Sequence, residues 1–243
     1  MIVALRQEII VANMTKRVVE PIADHCNVDM SLEPASDAMW TYRIIAHTAR
    51  VTNFAYGNNA KNVLQWDRLW KYTIDWDRQK PDSFRPMYCM NGENTSSLVN
   101  ESSQSDTSRF NNERSSFPRI YYTYDCPIAG QQYLQLCRVL LLAHDPRTPV
   151  LGLGRADFQR NREEDIRDAV RLICGITISN PEYSPAKGTA GLAIGLCGEL
   201  FSDLRETVEL LRIVSEAELH LGWPCLKVSH RLRVFWNLQD LNL

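Results

Sequence analysis

Two cysteines stand directly before a glycine inside apolar runs, Cys174 in "RLICGITISN" and Cys197 in "AIGLCGELF". Such a pair admits three uses: a nucleophilic thiol, a metal ligand, or a small neighbour for closely packed helices. Spacing excludes zinc, because no two cysteines form Cys-x2-Cys and the nearest pair is Cys126 and Cys137. His25, His47, His144, His220 and His230 contain no His-x3-His pair and read as surface or satisfied residues. "GLCGE" (Gly195 to Glu199) imitates a nucleophile elbow, but Glu199 takes the place of the last glycine and no strand precedes it. Both cysteines lie on apolar helical stripes, where desolvation disfavours a thiolate. Gly188, Gly191, Gly195 and Gly198 recur every three or four residues, a ridge without side chains against which another helix packs. Each glycine costs helix propensity of roughly 1 kcal/mol, which close packing must offset.

Other candidates are weaker. "GLGRAD" (Gly152 to Asp157) has two glycines of a dinucleotide fingerprint but Asp157 at the third position, and it reads as a loop. Asp165 with Asp168, and Glu206 with Glu209, read as carboxylates on solvated helix faces. Trp66, Trp70 and Trp76 either line a ligand cavity or pack, and for Trp66 and Trp70 packing is the ordinary outcome. Ser103, near Glu101 and Asp106, sits in an acidic setting that suits phosphorylation, against an inert linker as the plainer reading. The residues yield no catalytic, cofactor-binding or metal-ligating set.

The elements around these residues are helical. Residues 2–17 form a first helix, and a second, capped by Ser36 or Asp37, runs to Tyr56 with Gly57 and Asn58 as its stop. A third spans Ala60 to Gln79, with Trp66, Leu69, Trp70, Thr73 and Ile74 on one face, and ends at Pro81 and Pro86. "FPRIYYTY" is either extended or a loop pinned by aromatics. A fourth helix spans Pro127 to Ala143, and residues 147–162 read as a loop. Further helices cover 163–179 and 188–201. Asp203 with Glu206 looks like a capping box for the next one, which Gly222 and Pro224 stop. A last helix carries Val228, Leu232, Phe235 and Trp236. The fold class is therefore all-α, a multi-helix domain. It is divided into N-terminal helices in 1–90, a disordered Ser/Asn-rich insertion at 91–116, and C-terminal helices of the same domain in 117–243. The insertion has only Leu98, Val99 and Phe110 as large apolar residues, too few to offset its ordering entropy.

Totals set the outer bounds. The 243 residues suffice for one sizeable core, and a net charge of −2 gives no general field toward DNA or anionic lipid. No stretch approaches the ~18 apolar residues of a membrane span. No signal peptide is read at the N-terminus, where Arg6, Gln7 and Glu8 interrupt the apolar run, so the sequons at Asn94 and Asn100 stay unglycosylated and the seven cysteines are expected as free thiols.

Four stretches together carry a resemblance: "WDRLWKYTIDWDRQKPDSFRPM" (Trp66 to Met87), "FPRIYYTYDCPIAGQQYLQLCRVLLLAHDPR" (Phe117 to Arg147), "AVRLICGITISN" (Ala169 to Asn180), and the run from Thr189 to Trp223. In order and spacing, from about Leu5 to Trp236, the chain resembles the helical regulatory domain of fungal zinc-cluster transcription factors. The resemblance implies an all-α regulatory domain in the nucleus that modulates RNA polymerase II transcription, through self-association, other regulatory proteins or a small-molecule effector. It implies zinc, and DNA as a partner, only through an N-terminal six-cysteine cluster. That cluster's Cys-x2-Cys-x6-Cys pattern does not occur in this sequence. A truncated gene model, a fragment, and a regulator that lost its DNA reader remain open as explanations. Two other function classes stand beside this one: a stand-alone helical small-molecule sensor or protein-interaction module, and a cysteine-dependent enzyme centred on Cys197.

Overall fold

The computed structural model describes residues 2–20, 28–58, 60, 62–90, 115–149, 151–221 and 226–238. Eight α-helices occur among them: α1 (Ile2–Thr15), α2 (Asp37–Tyr56), α3 (Val63–Gln79), α4 (Asp125–Ala143), α5 (Arg155–Ser179), α6 (Pro185–Cys197), α7 (Leu204–Leu221) and α8 (Leu226–Phe235). The all-α, multi-helix expectation holds. Of the expected insertion at 91–116, residues 91–114 lie outside the described residues, as do His25, Gly222 and Pro224.

α4 is the central helix. It is buried on nearly every side, from Pro127 to Leu141, and packs against α2, α3, α5 and α6. Gln132 fixes three helices at one point. Its side-chain amide donates to the Thr177 hydroxyl at 2.8 Å and to the Ala186 carbonyl at 3.3 Å. A first apolar cluster joins α1–α4, with Leu5, Ile44, Phe54, Trp76 and Leu136 fully enclosed. A second joins α5–α8 through Val170, Ile173, Cys174, Ile194, Leu211 and Leu232.

The tryptophans of α3 belong to this packing. Trp76 is completely buried, and its indole N–H donates to the Trp40 carbonyl at 3.0 Å. The edge of the Phe84 ring meets it, and Phe84 in turn rests on Gly130, where a Cβ would lie 2.6 Å from the ring. Trp66 donates to the Leu141 carbonyl at 2.8 Å, stacks on Trp70, and carries the Arg147 guanidinium 3.9 Å above its ring. Trp66 and Trp76 are thus buried core side chains, and Trp70 is half-buried against Trp66.

Three expectations are corrected. Residues 147–162 are not all loop, because α5 begins at Arg155, eight residues before the expected start. Its first turns are exposed, with Ala156 and Phe158 as their apolar side chains, and are held by Gln159 to Glu163 at 2.9 Å and Arg160 to Asp157 at 3.5 Å. A helix with no apolar stripe gives no periodic signal. α3 starts at Val63 under an Asn62 cap rather than at Ala60. The 188–201 helix runs instead from Pro185 to Cys197 and ends in a 3-10 turn over Gly198–Leu200. Of the two readings of "FPRIYYTY", the extended one holds: β2 (Arg119–Tyr121) pairs antiparallel with β1 (Tyr88–Met90), a strand the sequence did not announce.

The α5 end accounts for this extended segment. The Ser179 hydroxyl accepts from the Ile120 N–H at 2.9 Å, and Asn180 Oδ1 accepts from the Tyr122 N–H at 3.1 Å. Asn180 Nδ2 donates to the Ile120 carbonyl at 2.8 Å. The strand's outward backbone groups are thus satisfied by helix-end side chains, as buried polar groups require.

His47, in the middle of α2, is enclosed between Tyr72 and Thr73. The Thr73 hydroxyl donates to the Leu69 carbonyl and so accepts from His47 Nε2–H at 2.9 Å. Burial, with Arg50's charge adding to it, pushes the imidazole down to about 3. The unfolded chain takes up this proton near pH 6.5, whereas the folded chain does not until far lower pH. Stability from His47 is therefore complete above the unfolded value and is lost as pH falls toward 3. Between pH 7 and about pH 5 the loss is roughly 2 kcal/mol. Urea unfolding of wild type and His47→Gln at both pH values checks this. The wild type should lose that much more stability than the variant, and equal losses would refute the assignment.

Candidate functional site

Cys174 and Cys197 are both buried, on helices facing the second cluster. Burial raises the Cys174 thiol well above its ordinary range and pushes the Cys197 thiol up to about 12. Cys137 is equally enclosed and pushed up to about 12, with its sulfur 3.1 Å from the Thr48 hydroxyl. Neither Cys–Gly pair has the exposed, electropositive setting of a reactive thiol. Brief iodoacetamide treatment followed by peptide mapping should label exposed Cys89 promptly, and Cys137, Cys174 and Cys197 only as fast as the protein opens. Labelling of Cys197 at the Cys89 rate would reverse this.

The glycines beside them serve two different neighbours. Gly198 takes Leu232 of α8, whose methyl would lie 2.9 Å from an added Cβ, and Gly195 faces Val228 at 3.5 Å. The expected ridge thus receives α8 at its C-terminal half. Gly175 does not serve a helix. It lies against the Pro118 carbonyl and ring, just ahead of β2.

The remaining sequence candidates are dispersed. Gly152 and Gly154 both have positive φ in the loop before α5, with open space around them. His144 is half-buried on α4, and His230 is exposed on α8. Among the described residues no group of three or more His, Cys, Asp or Glu is placed to hold a metal ion.

The carboxylates on α7 depart furthest from expectation. Asp203 does cap α7, accepting from the Arg205 and Glu206 N–H groups at 2.9 and 3.1 Å. The Glu206 side chain, however, is buried rather than solvated, and it accepts from Arg171 of α5 at 2.7 and 3.3 Å. Glu209 is half-buried and accepts from the Ser115 hydroxyl at 2.9 Å and the Ser116 N–H at 3.1 Å. Asp165 and Asp168 are exposed as expected, although Asp168 also contacts Arg171 at 2.7 Å.

Next to the Glu209 contact is a groove of about 270 Å³, lined by Ser115, Ser116, Arg119, Ile178, Arg205, Val208, Glu209 and Arg212. A smaller hollow of about 180 Å³ shares Ile178 and Arg212 with it and adds Lys187, Ile213 and Glu216. One wall of the two hollows is a stripe of α7: Arg205, Val208, Glu209, Arg212 and Glu216 fall at i, i+3, i+4, i+7 and i+11. The opposite wall is the lead-in to β2 and the end of α5. Among the described residues, the two hollows bring four cations and two carboxylates together, in a chain whose net charge is −2. Sequence reasoning missed Arg119 and Arg212. The α7 stripe was visible as spacing, but its partner wall is formed by residues some ninety positions away.

A scan of protein-family models, a search of curated proteins and a search of solved structures each find no match to this chain. No helix among the described residues is long and apolar enough to cross a membrane.

Proposed function

We propose that this chain is a helical regulatory domain of the kind found in fungal zinc-cluster transcription factors, modulating RNA polymerase II transcription in the nucleus through an effector or a regulatory partner. The observation that supports the reading is the interlock between the stretches that carry the resemblance. The Trp66–Met87 stretch docks Trp76 and Phe84 on Gly130 of the Phe117–Arg147 stretch. That second stretch lays Pro118 and β2 against Gly175, Ser179 and Asn180 of the third. A shared order of motifs acquires physical meaning when each motif's special residue is the contact point for the next.

Enclosed thiols and a charged surface groove favour binding over covalent chemistry as the mode of action. DNA would be reached through a zinc cluster carried outside this sequence. The test has two parts. Sequencing the transcript through its 5′ end should find codons for a six-cysteine cluster in frame ahead of Leu5. Fusing the chain to a heterologous zinc-cluster DNA-binding domain should change reporter output relative to that domain alone. A stable, nuclear fusion whose output equals that of the DNA-binding domain alone would refute the reading.

A further inference from the structure

We propose that Ser184 is a phosphorylation site for a proline-directed serine/threonine kinase, with ATP as the phosphoryl donor. The inference goes beyond the proposed function and does not rest on it.

The sequence narrows the choice first. Of the 11 prolines, only Pro149 and Pro185 follow a hydroxyl-bearing side chain, Thr148 and Ser184. Proline brings no backbone N–H. A kinase cleft with no acceptor at that point takes proline there and leaves the N–H of any other residue unpaired. Lys187 follows Ser184 by three residues and offers a cation to an acidic patch beside such a cleft, whereas Leu151 holds that place after Thr148.

The structure then separates the two hydroxyls. Thr148 is half-buried, and its hydroxyl donates to the Asp145 carbonyl at 2.8 Å and accepts from Arg162 at 2.7 Å. Transfer to Thr148 has to break both bonds. Ser184 is exposed in the turn between α5 and α6, and although it stands at the N-cap of α6 its side chain caps no N–H.

The turn around Ser184 opens at low cost. Ser184 has φ −50° and ψ −36°, helical values that the ring of the following proline disfavours. The extended form favoured before proline is also the form that lies along a kinase cleft. Pro181 and Pro185 donate no hydrogen bond, so residues 181–185 are held by the Tyr183 N–H to the Asn180 carbonyl and the Ser184 N–H to the Glu182 carbonyl, both 3.1 Å. Pro181, Glu182 and Pro185 are exposed as well, the setting in which local opening is easy. Lys187 is held to Glu216 only at 3.5 Å, longer than a charge-assisted hydrogen bond.

In the transfer, Ser184 Oγ attacks the γ-phosphorus of ATP. The Oγ–P bond forms as the bond to the ADP oxygen breaks, and the hydroxyl proton passes to the kinase's carboxylate base. The product adds close to two negative charges at neutral pH, one helical turn from Lys187.

The experiment incubates the whole chain with a purified proline-directed kinase (a cyclin-dependent kinase with its cyclin) and MgATP, and locates the phosphate by peptide mapping. Ser184 should be labelled at least about tenfold faster than Thr148. Ser184→Ala, which removes an exposed hydroxyl only, should abolish that label, and Pro185→Ala should slow it by about tenfold. A synthetic peptide of residues 178–190 should be labelled under the same conditions. An unlabelled peptide, a folded chain left unlabelled while the peptide is labelled, Thr148 labelled as fast as Ser184, or full labelling of Pro185→Ala would each overturn the inference. None of these outcomes bears on the reporter fusion, so failure here and failure of the regulatory reading are distinguishable.

Discussion

Arg171→Met is expected to destabilise the protein by about 3–5 kcal/mol, whereas Arg171→Met combined with Glu206→Leu recovers most of that loss. Arg171 reaches three carboxylates, but only one of them is buried. Its side chain is 13 % exposed and that of Glu206 is 3 %, against 49 % for Glu164 and 54 % for Asp168. The exposed pairs are screened by water, and each contributes about 1 kcal/mol or less. The Glu206 pair is different because removing the arginine leaves a carboxylate enclosed between α5 and α7 with its charge unmatched. Replacing both partners by apolar side chains removes the stranded charge together with the pair. Denaturant unfolding of Arg171→Met, the double variant, and Glu164→Gln and Asp168→Asn as controls measures each contribution. An Arg171→Met no less stable than Asp168→Asn would show that Glu206 finds another partner or water. The pair also fixes α7 on α5, and these helices form two walls of the arginine-lined groove.

How much of this was legible in the sequence differs from element to element. Helices with an apolar stripe were found within a few residues. Ser36 caps α2 as read, and Ile166, Ala169, Val170, Ile173 and Cys174 all face the core. Where the stripe is missing, as in the first turns of α5, periodicity has nothing to register and the segment passed for loop. Where a residue serves a distant partner, spacing misleads. Asp203 and Glu206 stand three apart as a capping box should, yet Glu206 turns to Arg171, thirty-five residues away in sequence. β1 and β2 are three residues each, too short for an alternating pattern, and their pairing depends on Ser179 and Asn180. The groove is harder still, since neither wall is a site alone. Arg205, Val208, Glu209 and Arg212 form an ordinary exposed stripe until Ser115 and Arg119 are folded against it.

Gly175→Ala and Gly195→Ala are expected to move stability in opposite directions, although both place a methyl on a helical glycine. In an open helix the change favours alanine by up to about 1 kcal/mol, because glycine loses more backbone entropy on folding. Gly195 meets that condition. It is exposed, and the new Cβ would stand 3.5 Å from the Val228 methyls, an ordinary contact. Gly175 does not meet it. There the Cβ would press on the Pro118 carbonyl oxygen, 2.9 Å from the proline Cγ and 3.1 Å from the carbonyl carbon. Neither neighbour can rotate away. The carbonyl is backbone, the proline ring is rigid, and the following residues are held by Ser179 and Asn180. Relief requires β2 to move off α5, breaking those hydrogen bonds and shifting Arg119 away from the groove. Overpacking of this kind costs about 3 kcal/mol, so Gly175→Ala should lower Tm by roughly 6–12 °C. Differential scanning calorimetry of the two variants reads both signs. A stabilised Gly175→Ala would mean that residues 117–119 yield freely, and with them one wall of the groove.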